Sequence, residues 1–167
     1  MKPTYIIYTS LTGFTARYAA MLAEKTNLPA LPLTDALTQL PKGTPIIYMG
    51  WLMAGSVKDC KKAAKHFAIQ AVVGVGLGDT GAQDEGARKA CRLPAEVPVF
   101  TVQGGMDHAK LQGGYKMGIN ILTKVMSAKK NRTPDEDKMV ALLQQGGDYV
   151  SEKELTAVLR WHDTVSQ

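Results

Sequence analysis

Hydroxyl-bearing side chains and a glycine are concentrated in one short segment near the start of the chain. Residues 10–15 are Ser10, Leu11, Thr12, Gly13, Phe14 and Thr15. Gly13 permits a tight bend, and a helix that begins here leaves its first backbone N–H groups without intrahelical partners. These donors, the helix dipole and the hydroxyls suit a phosphate dianion. The segment contains no lysine or arginine, so we expect hydrogen bonds alone to hold the anion. The alternative is an ordinary strand-to-helix turn capped by hydroxyls.

Other motifs that carry chemistry are missing from the sequence. There is no Gly-x-x-x-x-Gly-Lys-Ser/Thr segment, which excludes a nucleotide P-loop, and no Gly-x-Gly-x-x-Gly after the first apolar run, which argues against a dinucleotide site at that turn. The three histidines lack metal-ligand spacing, so no metal site is predicted. Cys60 and Cys91 are far apart in sequence and are expected to pack in helices as small apolar groups. We assign no catalytic residue, because no acid–base or nucleophile constellation is present.

The segments that must position residues 10–15 alternate between two types. Strand-like apolar runs occur at 4–9, 28–33, 45–50, 71–76 and 97–102, and helical patterns occur at 14–26, 35–40, 57–67 and 83–91. This alternation predicts a parallel sheet with helices on both faces. Prolines in the second run place it at an edge. We therefore predict one α/β domain over residues 1–167, a doubly wound five-stranded sheet of order 2-1-3-4-5.

Two further helices are predicted from capping boxes in the last third of the chain. Thr133 is followed by Pro134 and Glu136, and Gly146 would end that helix. Ser151 and Glu154 form a second box before an apolar stripe.

Residues 10–15 resemble the first loop of the flavodoxins, whose pattern is Thr/Ser-x-Thr-Gly-x-Thr. The resemblance implies a flavodoxin-like fold in which this turn wraps the 5′-phosphate of FMN. It also implies that the loop after strand three covers one face of the isoalloxazine ring, with Trp51 stacked on it; the alternative is a tryptophan packed under the next helix. That loop is Trp51, Leu52, Met53, Ala54 and Gly55.

The loop after strand four is similar to the Gly-x-Gly-Asp stretch of flavodoxins. Its residues are Gly76, Leu77, Gly78 and Asp79. The aromatic residue that often follows in the family is missing, which implies an open ring face of the kind a substrate-handling flavoenzyme needs. We interpret Asp79 as a helix N-cap rather than a charge that tunes the flavin.

A basic, partly apolar insertion follows the fifth strand at residues 103–132. Residues 108–132 contain no acidic side chain, five lysines and one arginine, interleaved with apolar residues that predict a helix with cationic flanks. The arrangement is similar to the menaquinone-dependent protoporphyrinogen oxidases of bacteria, a flavodoxin-like family. This similarity implies oxidation of a porphyrinogen with electrons passed to a quinone, and an insertion that attracts an anionic substrate or membrane surface. The alternative is a helix that docks on the sheet with solvated lysines.

Composition narrows the function classes further. The net charge of +5 favours an anionic partner, whereas electron-carrier flavodoxins tend to be acidic. With no signal-peptide pattern and no apolar run near 20 residues, a cytoplasmic location is expected, with peripheral membrane or quinone contact through 108–132; no nucleic acid partner is expected. Our leading hypothesis is an FMN-dependent oxidoreductase. The alternatives are a small electron-transfer flavodoxin that docks on a redox partner and a flavin-free interaction module.

Overall fold

The apolar runs form one mostly parallel sheet in the computed structural model, which describes residues 1–167. Its strands are β1 (Tyr5–Thr9), β2 (Ala30–Pro32), β3 (Pro45–Met53), β4 (Ser56–Val57), β5 (Ala68–Gly76) and β6 (Val99–Gln103). Five of them lie in the order β2-β1-β3-β5-β6, while β4 pairs with β3 alone. The short strand β2 is at the edge, as its prolines predict. This architecture is consistent with a flavodoxin-like α/β fold.

Seven helices connect and flank the strands. They are α1 (Phe14–Thr26), α2 (Leu33–Gln39), α3 (Cys60–Ala64), α4 (Asp84–Cys91), α5 (Gly113–Ala128), α6 (Pro134–Gln145) and α7 (Thr156–Ser166). The predicted bounds of α1 are confirmed to the residue. None of the helices is both long and apolar enough to cross a membrane.

Two apolar cores lie on the opposite faces of the sheet, because successive strand residues point to opposite sides. Ile6 packs with Tyr18 of α1 and Val158 of α7. Its neighbour Ile7 belongs to the other core, which contains residues of α2, α3 and α4. The helices therefore cover both faces of the sheet, as the alternating pattern predicts.

The two cysteines meet in the second of these cores. Cys60 begins α3 and Cys91 ends α4, and both are buried and free, so their prediction as packed helix residues is confirmed. The neighbouring Cys91 thiol, together with burial, raises the pKa of Cys60.

A β-hairpin replaces the loop predicted over residues 51–55. Strand β3 continues to Met53, which pairs with Ser56 of β4. The two residues between them, Ala54 and Gly55, have φ of 49° and 75°, which is the positive-φ geometry of a tight type I′ turn. Gly50, the predicted end of the strand, is an interior residue: a Cβ there would lie 2.7 Å from the Lys58 carbonyl oxygen.

The helix predicted over 57–67 is also shorter than expected. Val57 belongs to β4, and Asp59 has a positive φ of 57° directly before α3, which spans only Cys60–Ala64. The hairpin therefore includes Val57, which the lysine-rich pattern predicts as the first residue of the helix.

Only one of the two predicted capping boxes is confirmed. The Thr133 hydroxyl accepts from the Glu136 N–H, and the Glu136 carboxylate accepts from the Thr133 N–H. The box at Ser151 is wrong, because the Ser151 hydroxyl is buried without a partner and caps nothing. The Glu154 carboxylate instead accepts a hydrogen bond from the Thr80 hydroxyl.

The chain after β6 adds a small second layer beside the sheet. Strands β7 (Gly105–Met106) and β8 (Gly147–Asp148) pair antiparallel, with α5 and α6 between them in the chain. A third apolar cluster of Met106, Leu111, Leu142 and Leu143 holds this layer together. The predicted helix of the basic insertion is α5. Not one of its residues is buried.

Candidate functional site

The turn between β1 and α1 presents several unpaired hydrogen-bond donors. The Ser10 hydroxyl oxygen accepts from the N–H groups of Gly13 at 3.2 Å and Ala16 at 3.3 Å. With both lone pairs engaged, this hydroxyl keeps its own hydrogen for a donor role. The N–H groups of four turn residues donate to no group of the protein: Leu11, Thr12, Phe14 and Thr15.

Gly13 gives the turn its shape. It has φ of +100° and precedes the first residue of α1, a conformation that side-chain-bearing residues rarely adopt. Within residues 10–15 only the Ser10 side chain is hydrogen-bonded to the protein. The hydroxyls of Thr12 and Thr15 are therefore available to a ligand, although Thr15 is only 1% exposed as a residue. The turn can donate several hydrogen bonds to one anion at the positive end of the α1 dipole.

A mostly apolar cavity of about 740 Å³ opens beside this turn. Its volume lies within the range of about 300–1,000 Å³ that is typical of small-molecule sites. The cavity brings together predicted residues from three segments: Ser10, Leu11, Thr12, Phe14, Thr15, Trp51, Leu52, Met53, Ala54, Gly55, Gly76 and Leu77. These segments follow neighbouring parallel strands, whose carboxyl ends meet at one edge of the sheet.

Three predicted site residues lie outside the lining of this cavity: Gly13 of the turn, Gly78 and Asp79. Asp79 is also not a helix N-cap, because α4 begins after Gln83. Its carboxylate instead lies 3.8 Å from the Lys138 ammonium of α6. The interpretation of Asp79 as a cap is therefore wrong: the chain makes a turn through residues 80–83 before the helix starts.

The wall of the cavity opposite the turn is formed by the β3–β4 hairpin. Leu52 lies over β5, where a Cβ at Gly76 would be only 2.8 Å from its Cδ1 atom. Trp51 meets Tyr115 of α5 edge-to-face, with the ring centroids 5.3 Å apart. The hairpin thus presents an apolar and aromatic surface to the cavity, supported by small residues of the neighbouring strand.

Helix α5 partly covers the cavity, which the sequence analysis did not anticipate. Gly114, Tyr115, Gly118, Ile119 and Leu122 line it from this side. Their spacing of three and four residues places them on one helical face, and this spacing was the available signal. Tyr115 and Leu122 remain 38% and 43% exposed, so the helix covers the cavity without filling it.

The cavity takes its remaining lining from six residues that were not predicted. They are Val75, Gln83, Gly105, Met106, Leu111 and Met139 of α6. Most of these residues reach the end of the sheet because the chain folds back towards it after β6.

A second, polar cavity of about 480 Å³ also adjoins the turn and contains Gly13 in its lining. Arg17 and Asp148 form an ion pair there at 2.6 Å, and the Arg17 hydrogen bond holds the pKa of Asp148 below its usual range. His108 also lines this cavity, and its Nε2 atom is buried without a hydrogen-bond partner. The turn therefore borders both an apolar cavity and a charged one.

This arrangement matches the chemistry of a ligand with a flat apolar body and an anionic end. The anion would meet the N–H groups of the turn, and the body would occupy the apolar cavity. No family model, curated protein or solved structure matches this chain.

Proposed function

We propose that this protein is an FMN-binding oxidoreductase with a flavodoxin-like fold. With the two-residue strand β4 left aside, the observed strand order supports the order 2-1-3-4-5. Ligands of such sheets bind beyond the carboxyl ends of the first and third strands. The observation that carries the proposal is the placement of four unpaired N–H groups at one end of an apolar cavity of about 740 Å³.

The phosphate of FMN fits the turn at residues 10–15. A dianion needs several donors to offset the loss of its water, and charge-assisted hydrogen bonds are the strong ones. The turn offers the N–H groups of Leu11, Thr12, Phe14 and Thr15. The hydroxyls of Ser10, Thr12 and Thr15 add further donors. Gly13 allows the chain to curve around the anion without a Cβ in the way.

The isoalloxazine ring fits the apolar cavity. Trp51 and Leu52 form one wall, and Tyr115 and Ile119 of α5 cover part of the opening. These side chains exclude water from part of the cavity. Because α5 covers the opening only in part, a reactant can still approach the ring. When bound, FMN supplies one- or two-electron redox chemistry, and the protein contributes binding, orientation and the local dielectric.

The reaction we propose is the oxidation of a porphyrinogen-type substrate, with the electrons passed to a quinone. Two features support it over simple electron carriage: the net charge of +5 and a cavity that α5 covers only in part. The second candidate is an electron-transfer flavodoxin, for which the same exposed side of α5 would dock on a redox partner.

The exposed side of α5 supports contact with an anionic membrane surface, where a quinone would dissolve. Met117, Ile121 and Val125 are 64%, 57% and 65% exposed, and their spacing of four residues aligns them in one stripe. Lys116 and Lys124 belong to the same helix, which has no acidic residue. Apolar and cationic groups together are the pattern of helices that lie on membranes.

Flavin titration of the purified protein tests the proposal. We expect flavin absorbance in the protein as isolated, or quenching of FMN fluorescence on titration, with riboflavin bound at least tenfold more weakly. A folded protein that binds no flavin would refute the proposal and leave the interaction-module alternative. Turnover of protoporphyrinogen coupled to quinone reduction would separate the enzyme from the electron carrier.

A further inference from the structure

We propose that Lys110, from the segment after β7, is the counter-ion of the phosphate held by the turn at residues 10–15. The proposal rests on the FMN-binding function above and adds a residue to it. Its basis is a close approach: the Lys110 ammonium lies 4.0 Å from the position that a Cβ on Gly13 would occupy. No residue of the turn itself is cationic, so the cation comes from a distant part of the chain.

The small β7–β8 sheet places Lys110 beside the turn. Gly105 of β7 packs directly on Phe14, the first residue of α1, with the Phe14 Cε1 atom 2.7 Å from where a Cβ would be. The chain then passes through one 3₁₀ turn (His108–Lys110), which the Asp107 carboxylate caps by accepting from the Ala109 N–H at 3.0 Å. The contact at Gly105 and the capped turn therefore bring the backbone of Lys110 beside the turn, and its side chain, 63% exposed, extends towards Gly13.

Lys110 keeps donors available for an anion. Its ammonium lies 3.5 Å from the Asp107 carboxylate, which is longer than the ~2.7–2.9 Å of a charge-assisted hydrogen bond. Arg17, the other cation of the polar cavity, is by contrast engaged with Asp148 at 2.6 Å. Lys110 is thus the less neutralised of the two cations next to the turn.

A further polar group of this cavity is also without a partner. The Nε2 atom of His108 is buried and makes no hydrogen bond, and its residue lines the cavity that includes Thr12 and Gly13. Buried polar atoms are usually paired. The unpaired imidazole nitrogen, two residues from Lys110, leaves hydrogen-bonding capacity unmet beside this cavity.

Ligand pairs that differ only in the phosphate test the inference. FMN, riboflavin and inorganic phosphate are titrated into the wild-type protein, Lys110→Met, Lys110→Arg and the matched control Lys130→Met. Lys130 is exposed and lies in the same basic segment, outside both cavities. We expect Lys110→Met to weaken FMN binding by about five- to tenfold, since a partly solvated charge contact contributes modestly. Riboflavin binding should change less than about twofold.

Salt dependence and rescue complete the test. Lys110→Met should flatten the decrease of FMN affinity with ionic strength, and Lys110→Arg should restore most of the affinity. If the wild-type protein prefers FMN to riboflavin but Lys110→Met and Lys130→Met bind FMN equally well, the counter-ion role alone is overturned. A wild-type protein that binds neither flavin, or binds both equally, would overturn the proposed function and this inference with it.

Discussion

The indole of Trp51 and the phenol ring of Tyr115 meet edge-to-face, with centroids 5.3 Å apart and planes at 83°. This contact joins the β3–β4 hairpin to α5 at the opening of the apolar cavity. It is the point at which the insertion touches the aromatic wall of the sheet domain. Because no residue of α5 is buried, such contacts determine how the helix covers the cavity.

Tyr115→Ala should weaken the packing of α5 against the hairpin at the opening of the cavity. An aromatic pair of this geometry contributes about 0.5–1.5 kcal/mol beyond its buried area, so we expect FMN affinity to fall by roughly two- to tenfold. Bound flavin should also become more accessible to iodide quenching. Tyr149→Ala is a matched control, since this tyrosine is 50% exposed and lies outside the cavity. Identical behaviour of the two variants would contradict the covering role.

Replacing the turn hydroxyls with methyl groups should distinguish FMN from riboflavin. Thr12→Val and Thr15→Val preserve shape but remove donors, so FMN affinity should fall by about tenfold per hydroxyl while riboflavin affinity changes little. Thr38→Val, on the exposed side of α2, serves as the control. An equal loss for both ligands would refute the phosphate role of the turn.

Local sequence patterns were sufficient for the parts of the fold that depend on local chemistry. The bounds of α1 and the Thr133 capping box follow from neighbouring residues, and both are confirmed. The β3–β4 hairpin was missed because its turn, Ala54-Gly55, requires a positive φ at an alanine, which alanine alone does not indicate. The lysine-rich pattern after it predicts a longer helix than α3.

Long-range contacts account for what the sequence did not indicate about the candidate site. The turn at residues 10–15 is neutral in sequence, but Lys110 lies beside Gly13 because β7 pairs with β8 far along the chain. Tyr115 supplies an aromatic ring to the cavity from the insertion, although the expected aromatic after β5 is missing. Asp79 similarly contacts Lys138 of α6, a pairing that no local motif records.

The Arg17–Asp148 ion pair should make a small, pH-dependent contribution to stability. The Arg17 hydrogen bond lowers the pKa of Asp148, so the stabilisation is complete above the unfolded-state pKa of about 3.9. It is lost as the pH falls through the lower pKa of the folded state. Urea unfolding of Asp148→Asn should show a deficit of about 0.5 kcal/mol at pH 7, since both side chains are half exposed. The deficit should shrink towards pH 3; a deficit that is the same at both pH values would contradict the assignment.

The exposed stripe of α5 should control binding to lipid vesicles. Ile121→Ser combined with Val125→Ser removes two side chains that are 57% and 65% exposed, so the fold should tolerate the change. We expect the binding constant for vesicles containing phosphatidylserine, measured by co-sedimentation, to fall by at least about tenfold, because burying one apolar side chain contributes about 1.5–3 kcal/mol. Val165→Ser, on the exposed side of α7, is the control. Wild-type protein that ignores anionic vesicles, or binds neutral ones equally well, would exclude the membrane contact.

Gly105→Ala should displace the second layer and leave the fold of the sheet intact. A Cβ at this position would lie 2.7 Å from Phe14 Cε1 and close to the Gly147 carbonyl oxygen, so β7 must move away from α1. Overpacking of this kind costs about 1–3 kcal/mol, measured as a lower urea midpoint. The matched control is Gly86→Ala in α4, where nothing lies within 4 Å of the new methyl group and stability should rise by about 0.5–1 kcal/mol. Because a displaced β7 also carries Lys110 away from Gly13, Gly105→Ala should reduce the preference for FMN over riboflavin, and an unchanged preference would show that the second layer does not position the phosphate.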